Sequence, residues 1–151
     1  MIPECQQYAA SFHSLHDRFI LAVNGLSPAS LDWTPVPGTN SLAVLISHTM
    51  GSERFLVAHL VGVRPSSRNR EAEFRSTGLT AQQLTELVHS VGAETQEILS
   101  SLTSSDLDSF RQHRDGPKSV RWCVVHAIEH LAEHLGHAEL TRQLAETAGV
   151  R

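Results

Sequence analysis

The sequence predicts an all-α fold: a four-helix bundle in up-down-down-up order, with a long crossover between its second and third helices. Three observations carry this. Apolar residues recur at helical spacing in four long stretches, with no internal repeat and no convincing strand pattern among them. Residues suited to starting and stopping helices flank the stretches. The link between the second and third stretches, residues 63–79, can extend to roughly 55 Å, whereas a 21-residue helix is only about 30 Å long. That link can therefore run the length of the bundle and return the third helix parallel to the second.

The first helix is expected from about Pro3 to Asn24. Tyr8, Phe12, Leu15, Phe19, Ala22 and Leu26 step by four and three, Pro3 suits a first turn, and Gly25 suits the position just past the end. A turn-rich segment, LSPASLDWTPVPGTN, follows with three of the six prolines. The second helix is expected from about Ser41 to Val61, with Asn40 as N-cap and Gly62 as its stop. In the crossover, Arg64, Arg68, Arg70 and Arg75 are mixed with Glu71 and Glu73, which reads as a solvated loop rather than an anion-binding lip. The third helix opens at Thr80, with Gln83 three residues on in a capping-box pattern. Leu84, Leu87, Val88, Val91, Thr95, Ile98 and Leu102 form its inner face. The segment SSDLDSFRQHRDGPK breaks the pattern, and its Asp115-Gly116-Pro117 turn leaves a short hairpin or an irregular loop open. The fourth helix is expected from near Ser119 to about Thr147, before Gly149.

A length of 151 residues fits one domain spanning residues 1–151 around a single core. With 40% hydrophobic and 19% charged residues, a globular chain is expected and a disordered one is not. A net charge of -4 and the lack of a basic stripe exclude nucleic acid as a partner. No apolar run is long enough to span a bilayer, so no membrane partner is expected. The start, MIPECQQYAA, lacks the regions of a signal peptide. Cys5 and Cys123 are too few for a disulfide framework, and the expected home is the cytoplasm. The compositional oddity is ten histidines against 12 Lys+Arg, dispersed through the chain rather than gathered as a tag.

Four of those histidines fall in VVHAIEHLAEHLGHAEL, at His126, His130, His134 and His137. Imidazole is the commonest protein metal ligand, and two of them at i, i+4 share a helix face. With His126 set at zero, helix rotation places His137 at about 20°, His130 at about 40° and His134 at about 80°. The apolar face follows at about 100° to 200°. His130 and His134 therefore lie nearest the buried side, while His126 and His137 look outward. On the second helix His48 lies on a largely apolar stripe with Ser41, Leu45, Ser52, Phe55 and His59. A single such histidine reads as a hydrogen-bonded core residue, and an isolated HxxxH is weak. Their heights agree, however. His48 lies about 21 Å before Gly62, and the His130/His134 midpoint lies about 20 Å after Ser119. In the up-down-down-up order both are measured from one end, and the three imidazoles come level.

The other candidates take plainer readings. His126 is expected to be exposed, and His137 to sit at the cleft rim, where it can bond a cofactor or substrate. His13, His16, His59, His89 and His113 are expected at the surface or rim. Cys123 is too far along its helix to share the ion and reads as a small core residue. Glu53 reads as a surface charge.

Two motifs then bring a resemblance into view. The first is WTPVPGTNSLAVLISH, from Trp33 to His48, followed by Glu53. The second is HAIEHLAEHLGH, from His126 to His137. With them, most of the chain resembles the DinB-like metal-binding four-helix bundles. The resemblance implies a divalent metal held by one histidine of the second helix and an HxxxH pair of the fourth. By position these are His48, His130 and His134. Family members commonly carry Gln after the Gly of the second motif, where this chain has His137. Similar proteins include S-transferases that use low-molecular-weight thiols such as bacillithiol or mycothiol, a mycothiol-dependent isomerase and hydrolases, and homodimers are frequent among them.

Three neutral imidazoles leave a divalent ion with open positions. Zinc, nickel, iron and manganese all suit such a set, with zinc or nickel favoured. A thiol bound there loses its proton near neutral pH and can attack an epoxide, alkyl halide or activated alkene. The expected function is therefore a metal-dependent thiol S-transferase. Its small-molecule partners would be the thiol and the electrophile, and the protein is expected as a homodimer. The alternatives are hydrolysis by metal-bound hydroxide and a non-enzymatic metal-binding or stress-response role.

Overall fold

A computed structural model describes residues 1–150. The chain is mostly helical: α1 (Pro3–Val23), α2 (Pro28–Asp32), α3 (Leu42–Glu53), a π-helical segment (Arg54–Val61), α4 (Arg70–Glu73), α5 (Ala81–Ser101), α6 (Ser104–Asp108), then strands β1 (Phe110–His113) and β2 (Gly116–Ser119), and α7 (Val120–Thr147). The four long helical stretches lie where the apolar spacing put them. Side-chain caps set the starts of three of them, whereas α1 opens on Pro3 with no side-chain cap. Ser41 Oγ accepts from the Val44 amide, so Ser41 rather than Asn40 caps α3. Thr80 and Gln83 form the expected reciprocal capping box on α5. Ser119 caps α7 through the Trp122 amide.

Three features depart from the expected fold. The polar segment before α7 is a two-stranded antiparallel hairpin with Phe110 opposite Ser119, so the chain is not wholly α. Gly116, at φ 95°, supplies the left-handed residue its tight turn needs. The second long helix also changes winding at Arg54. The Gly62 amide bonds the Val57 carbonyl at 2.8 Å, five residues back. The wider turn re-phases the stripe expected to run from His48 through Phe55 and His59. The Phe55 and His59 rings are tilted against each other with centroids 5.1 Å apart, and they line a cavity shared with the crossover. Finally, the crossover is not a plain solvated loop, because it carries α4 and packs that helix against α3.

Contacts set the directions of the long elements. Glu4 meets Arg121 and Arg18 meets Glu139, so α1 and α7 run parallel. Glu53 meets Thr95 and Gly62 lies against Ile98, so the second long stretch runs parallel to α5. Leu45 shares a groove with His137 and Thr141 while His48 meets His130, so α3 and α7 are antiparallel. Helix α3 is the most enclosed element. Leu42, Ala43, Leu45, Ile46 and Met50 are all buried, covering more than one face. A helix apolar nearly all round belongs in the middle of a packed structure. No described helix is long and apolar enough to cross a membrane.

Candidate metal centre

Helix α3 brings His48 to the face that meets α7, and the i, i+4 spacing on α7 brings His130 and His134 to meet it. The ring centroids of His48 lie 5.2 Å from His130 and 5.3 Å from His134, and those two lie 4.4 Å apart. One ring nitrogen from each of the three falls within 4.8 Å of the others. His48 is buried, and His130 and His134 are partly so. The antiparallel pairing of α3 with α7 produces this level meeting.

The nitrogens are in states that suit coordination. Burial pushes His130 down to about 3, and its imidazole neighbours push it the same way. Burial likewise pushes His48 and His134 below the usual histidine range. All three are then neutral at pH 7 and offer lone pairs. The Nε2 atoms of His130 and His134 approach to 3.2 Å. Two nitrogens on one tetrahedral zinc, each at 2.0–2.1 Å, would stand roughly 3.3 Å apart. The donor set and its spacing thus fit a divalent metal ion.

His48 is steered from behind. Its Nδ1 lies 3.0 Å from Glu73 Oε2, and Phe74 covers the ring with centroids 4.5 Å apart. Burial pushes the Glu73 carboxyl up, but hydrogen bonds from Arg68 and His48 outweigh this and hold it low. A neutral His48 therefore donates Nδ1–H to a carboxylate, leaving Nε2 as the acceptor. The roles of Glu73 and Arg68 were missed in sequence, where both read as mixed charges of a solvated loop.

The remaining candidates separate. His137 is exposed, with Nδ1 3.4 Å from His134 Nδ1, and rims an apolar groove of about 340 Å³ with Leu45, Leu140 and Leu144. His126 is half-exposed, stacked 4.5 Å from Trp122 and outside the cluster. His59 is tied by Nδ1 to the Arg64 carbonyl at 2.7 Å. His13 and His89 are exposed, as expected. His16 and His113, expected at the surface or rim, are buried: His16 under α5, and His113, at the end of β1, against Trp122. Cys123 is buried in the core, as expected, and burial pushes its thiol up, away from reactivity.

Glu53 is the other correction. It is fully buried rather than a surface charge. Five residues after His48, it points about 140° away from that histidine's face. There its Oε2 lies 2.7 Å from His16 Nε2, and its Oε1 accepts from Thr95 at 2.6 Å. It joins α1, α3 and α5 on the side away from the imidazole cluster.

The sequence matches the family description of the DinB superfamily over residues 11–138. The chain belongs to the DinB superfamily. Solved structures agree in fold. A DinB-like protein from Bacillus cereus ATCC 10987 superposes with a TM-score of 0.76 at 17% identity, covering 97% of this chain and 93% of that one. A conserved protein from Enterococcus faecalis gives 0.79, also at 17% identity, covering 95% and 98%. No curated protein matches the sequence. Membership of the DinB superfamily accounts for the fold, and the imidazole cluster lies within the matched span.

Proposed function

We propose that this DinB-superfamily protein is a divalent-metal-dependent enzyme whose ion is held by His48, His130 and His134. Its reaction is the transfer of a low-molecular-weight thiol to an electrophile. The observation that carries this is the convergence of three neutral imidazole nitrogens within 4.8 Å, beside an apolar groove. An ion there would lower the pKa of a thiol and leave it a nucleophile at neutral pH. The chain's own part is to dock and orient. His137, on the groove rim and in reach of His134, is the residue assigned to contact the thiol or the electrophile. The groove wall of Leu45, Leu140 and Leu144 suits the apolar body of the electrophile and keeps water from it.

The same reading takes the fold as one domain, a four-helix bundle in up-down-down-up order, on the strength of the helix directions described above. It takes the working form as a cytoplasmic homodimer, in keeping with two free buried cysteines and the exposed Leu21. Zinc or nickel is the favoured ion.

Elemental analysis of untagged protein beside a His130→Ala/His134→Ala variant tests the site. We expect one ion per chain in the parent and little in the variant, and equal metal in both would remove the proposed ligands. Turnover of a chromogenic electrophile should need both thiol and metal. Turnover without thiol would replace transfer by hydrolysis. Bound metal with no turnover across a panel of thiols and electrophiles would leave a binding protein.

A further inference from the structure

The crossover between the π segment and α5 carries a chain of contacts that ends on His48. Asn69 starts α4 by capping the Ala72 amide at 3.0 Å, and α4 is only four residues long. A helix that short has no stability of its own in water, so its contacts with the rest of the protein hold it. Those contacts centre on Glu73, whose side chain is 10% exposed. Arg68 grips both carboxylate oxygens, Nε to Oε1 at 2.7 Å and Nη2 to Oε2 at 2.9 Å. This fork leaves the carboxylate little freedom to turn. The guanidinium is braced in turn above the Phe55 ring, 5.7 Å from its centroid.

Gly51 makes the seat. It lies on the side of α3 that faces the crossover, partly buried, and a Cβ built there would fall on the Glu73 carboxylate. No other residue type leaves the carboxylate room at that spot. Only with the carboxylate seated can His48 donate from Nδ1 and turn Nε2 toward His130 and His134.

We propose that Glu73 is the positioning residue for His48: seated over Gly51 and clamped by Arg68, it fixes the imidazole as the Nδ1–H form with Nε2 facing the other two histidines. The crossover segment is thereby part of the centre. The consequence for metal affinity rests on the metal reading above, whereas the consequence for the His48 tautomer does not.

The test uses the metal-free and zinc-loaded full chain with Glu73→Ala, Glu73→Gln and Gly51→Ala. Two quantities are read: the His48 ring nitrogen shifts by ¹⁵N NMR near neutral pH, assigned by their loss in His48→Gln, and zinc affinity by competition with a chromophoric chelator. In the parent, His48 should hold one tautomer, protonated at Nδ1. Glu73→Ala and Gly51→Ala should mix the tautomers and weaken zinc about 10–100-fold, the range for losing an outer partner of a ligating histidine. Glu73→Gln keeps an oxygen acceptor, so it should retain the tautomer and lose less affinity. Alanine suits a helix interior better than glycine, so α3 itself tolerates Gly51→Ala and the cost of the variant falls on the Glu73 seat. An unchanged His48 tautomer in both alanine variants overturns the proposal. A parent that takes up no zinc, with a tautomer that still shifts in Glu73→Ala, removes the metal reading and leaves the positioning role standing.

Discussion

The carboxylate of Glu53 sits where α3 touches both α1 and α5, and its two oxygens are shared between His16 and Thr95. Removing the carboxyl group leaves a buried hydrogen-bonding partner unsatisfied, at about 1–3 kcal/mol. Glu53→Ala should lower unfolding free energy by that amount in urea melts, and Glu53→Gln by less. A loss under about 1 kcal/mol would show that the pair contributes little. The imidazole cluster predicts a pH dependence of the metal-free protein. Burial holds His130 at about 3 in the fold, against about 6.5 for a free imidazole, so between those limits the unfolded chain binds the extra proton. Stability is then fully present above about 6.5 and falls as the pH drops toward 3. Thermal melts between pH 7.5 and 5 should show this, with a shallower fall for His130→Gln. Residue by residue, the sequence was informative where rotation about a helix decides the outcome. It placed His130 and His134 inward by angle alone. Glu53 was lost because a charge beside Arg54 looks like surface, and nothing local announces that α3 is enclosed on more than one face.

The π segment shows what element-scale reading can and cannot reach. Apolar spacing located the helix from Ser41 to Val61, but the spacing is tolerant of one wide turn, so the change of winding at Arg54 left no mark in the pattern. Its effect falls on Phe55 and His59, which a uniform helix would have kept on the His48 stripe. The segment also ends abruptly. Val63, where the chain leaves for the crossover, has φ 53°, a conformation costly for a β-branched side chain, and the residue is largely exposed. Val63→Gly removes that strain with little packing to lose. It should raise stability by about 0.5–1 kcal/mol in chemical denaturation, net of glycine's greater unfolded entropy. A destabilised variant would show that Val63 packs rather than strains. The hairpin was half legible, since Asp115-Gly116-Pro117 marked its turn while strands of four residues were too short to declare a period.

For the whole molecule, the long crossover is the feature from which helix directions could be argued, and the directions are what bring His48 level with α7. A ligand that binds only the folded chain stabilises it by mass action. At a hundredfold excess over Kd, zinc should add about 2.7 kcal/mol, which for a protein of this size raises Tm by roughly 5–11 °C. His130→Ala should abolish the rise, and an equal rise in the variant would place the ion elsewhere. The length of the crossover was visible in the sequence and its engagement was not. Glu73 reaches His48 across 25 positions, and no periodicity links a loop residue to a helix face that far away.

That engagement bears on how the chain can change length. A 17-residue connection between helices (63–79) is where insertions and deletions would ordinarily accumulate. Here the permission is unevenly distributed. Pro65, Ser66 and Ser67 are exposed, and added residues there would only lengthen the approach. From Arg68 to Phe74 the spacing is fixed by a fork at one end and a histidine at the other. Beyond it Asp32 holds Thr77 and Gly78, each at 2.8 Å. Relatives that vary the crossover should therefore do so ahead of the arginine, and a shift of even one residue between Arg68 and Glu73 would carry the carboxylate off its seat.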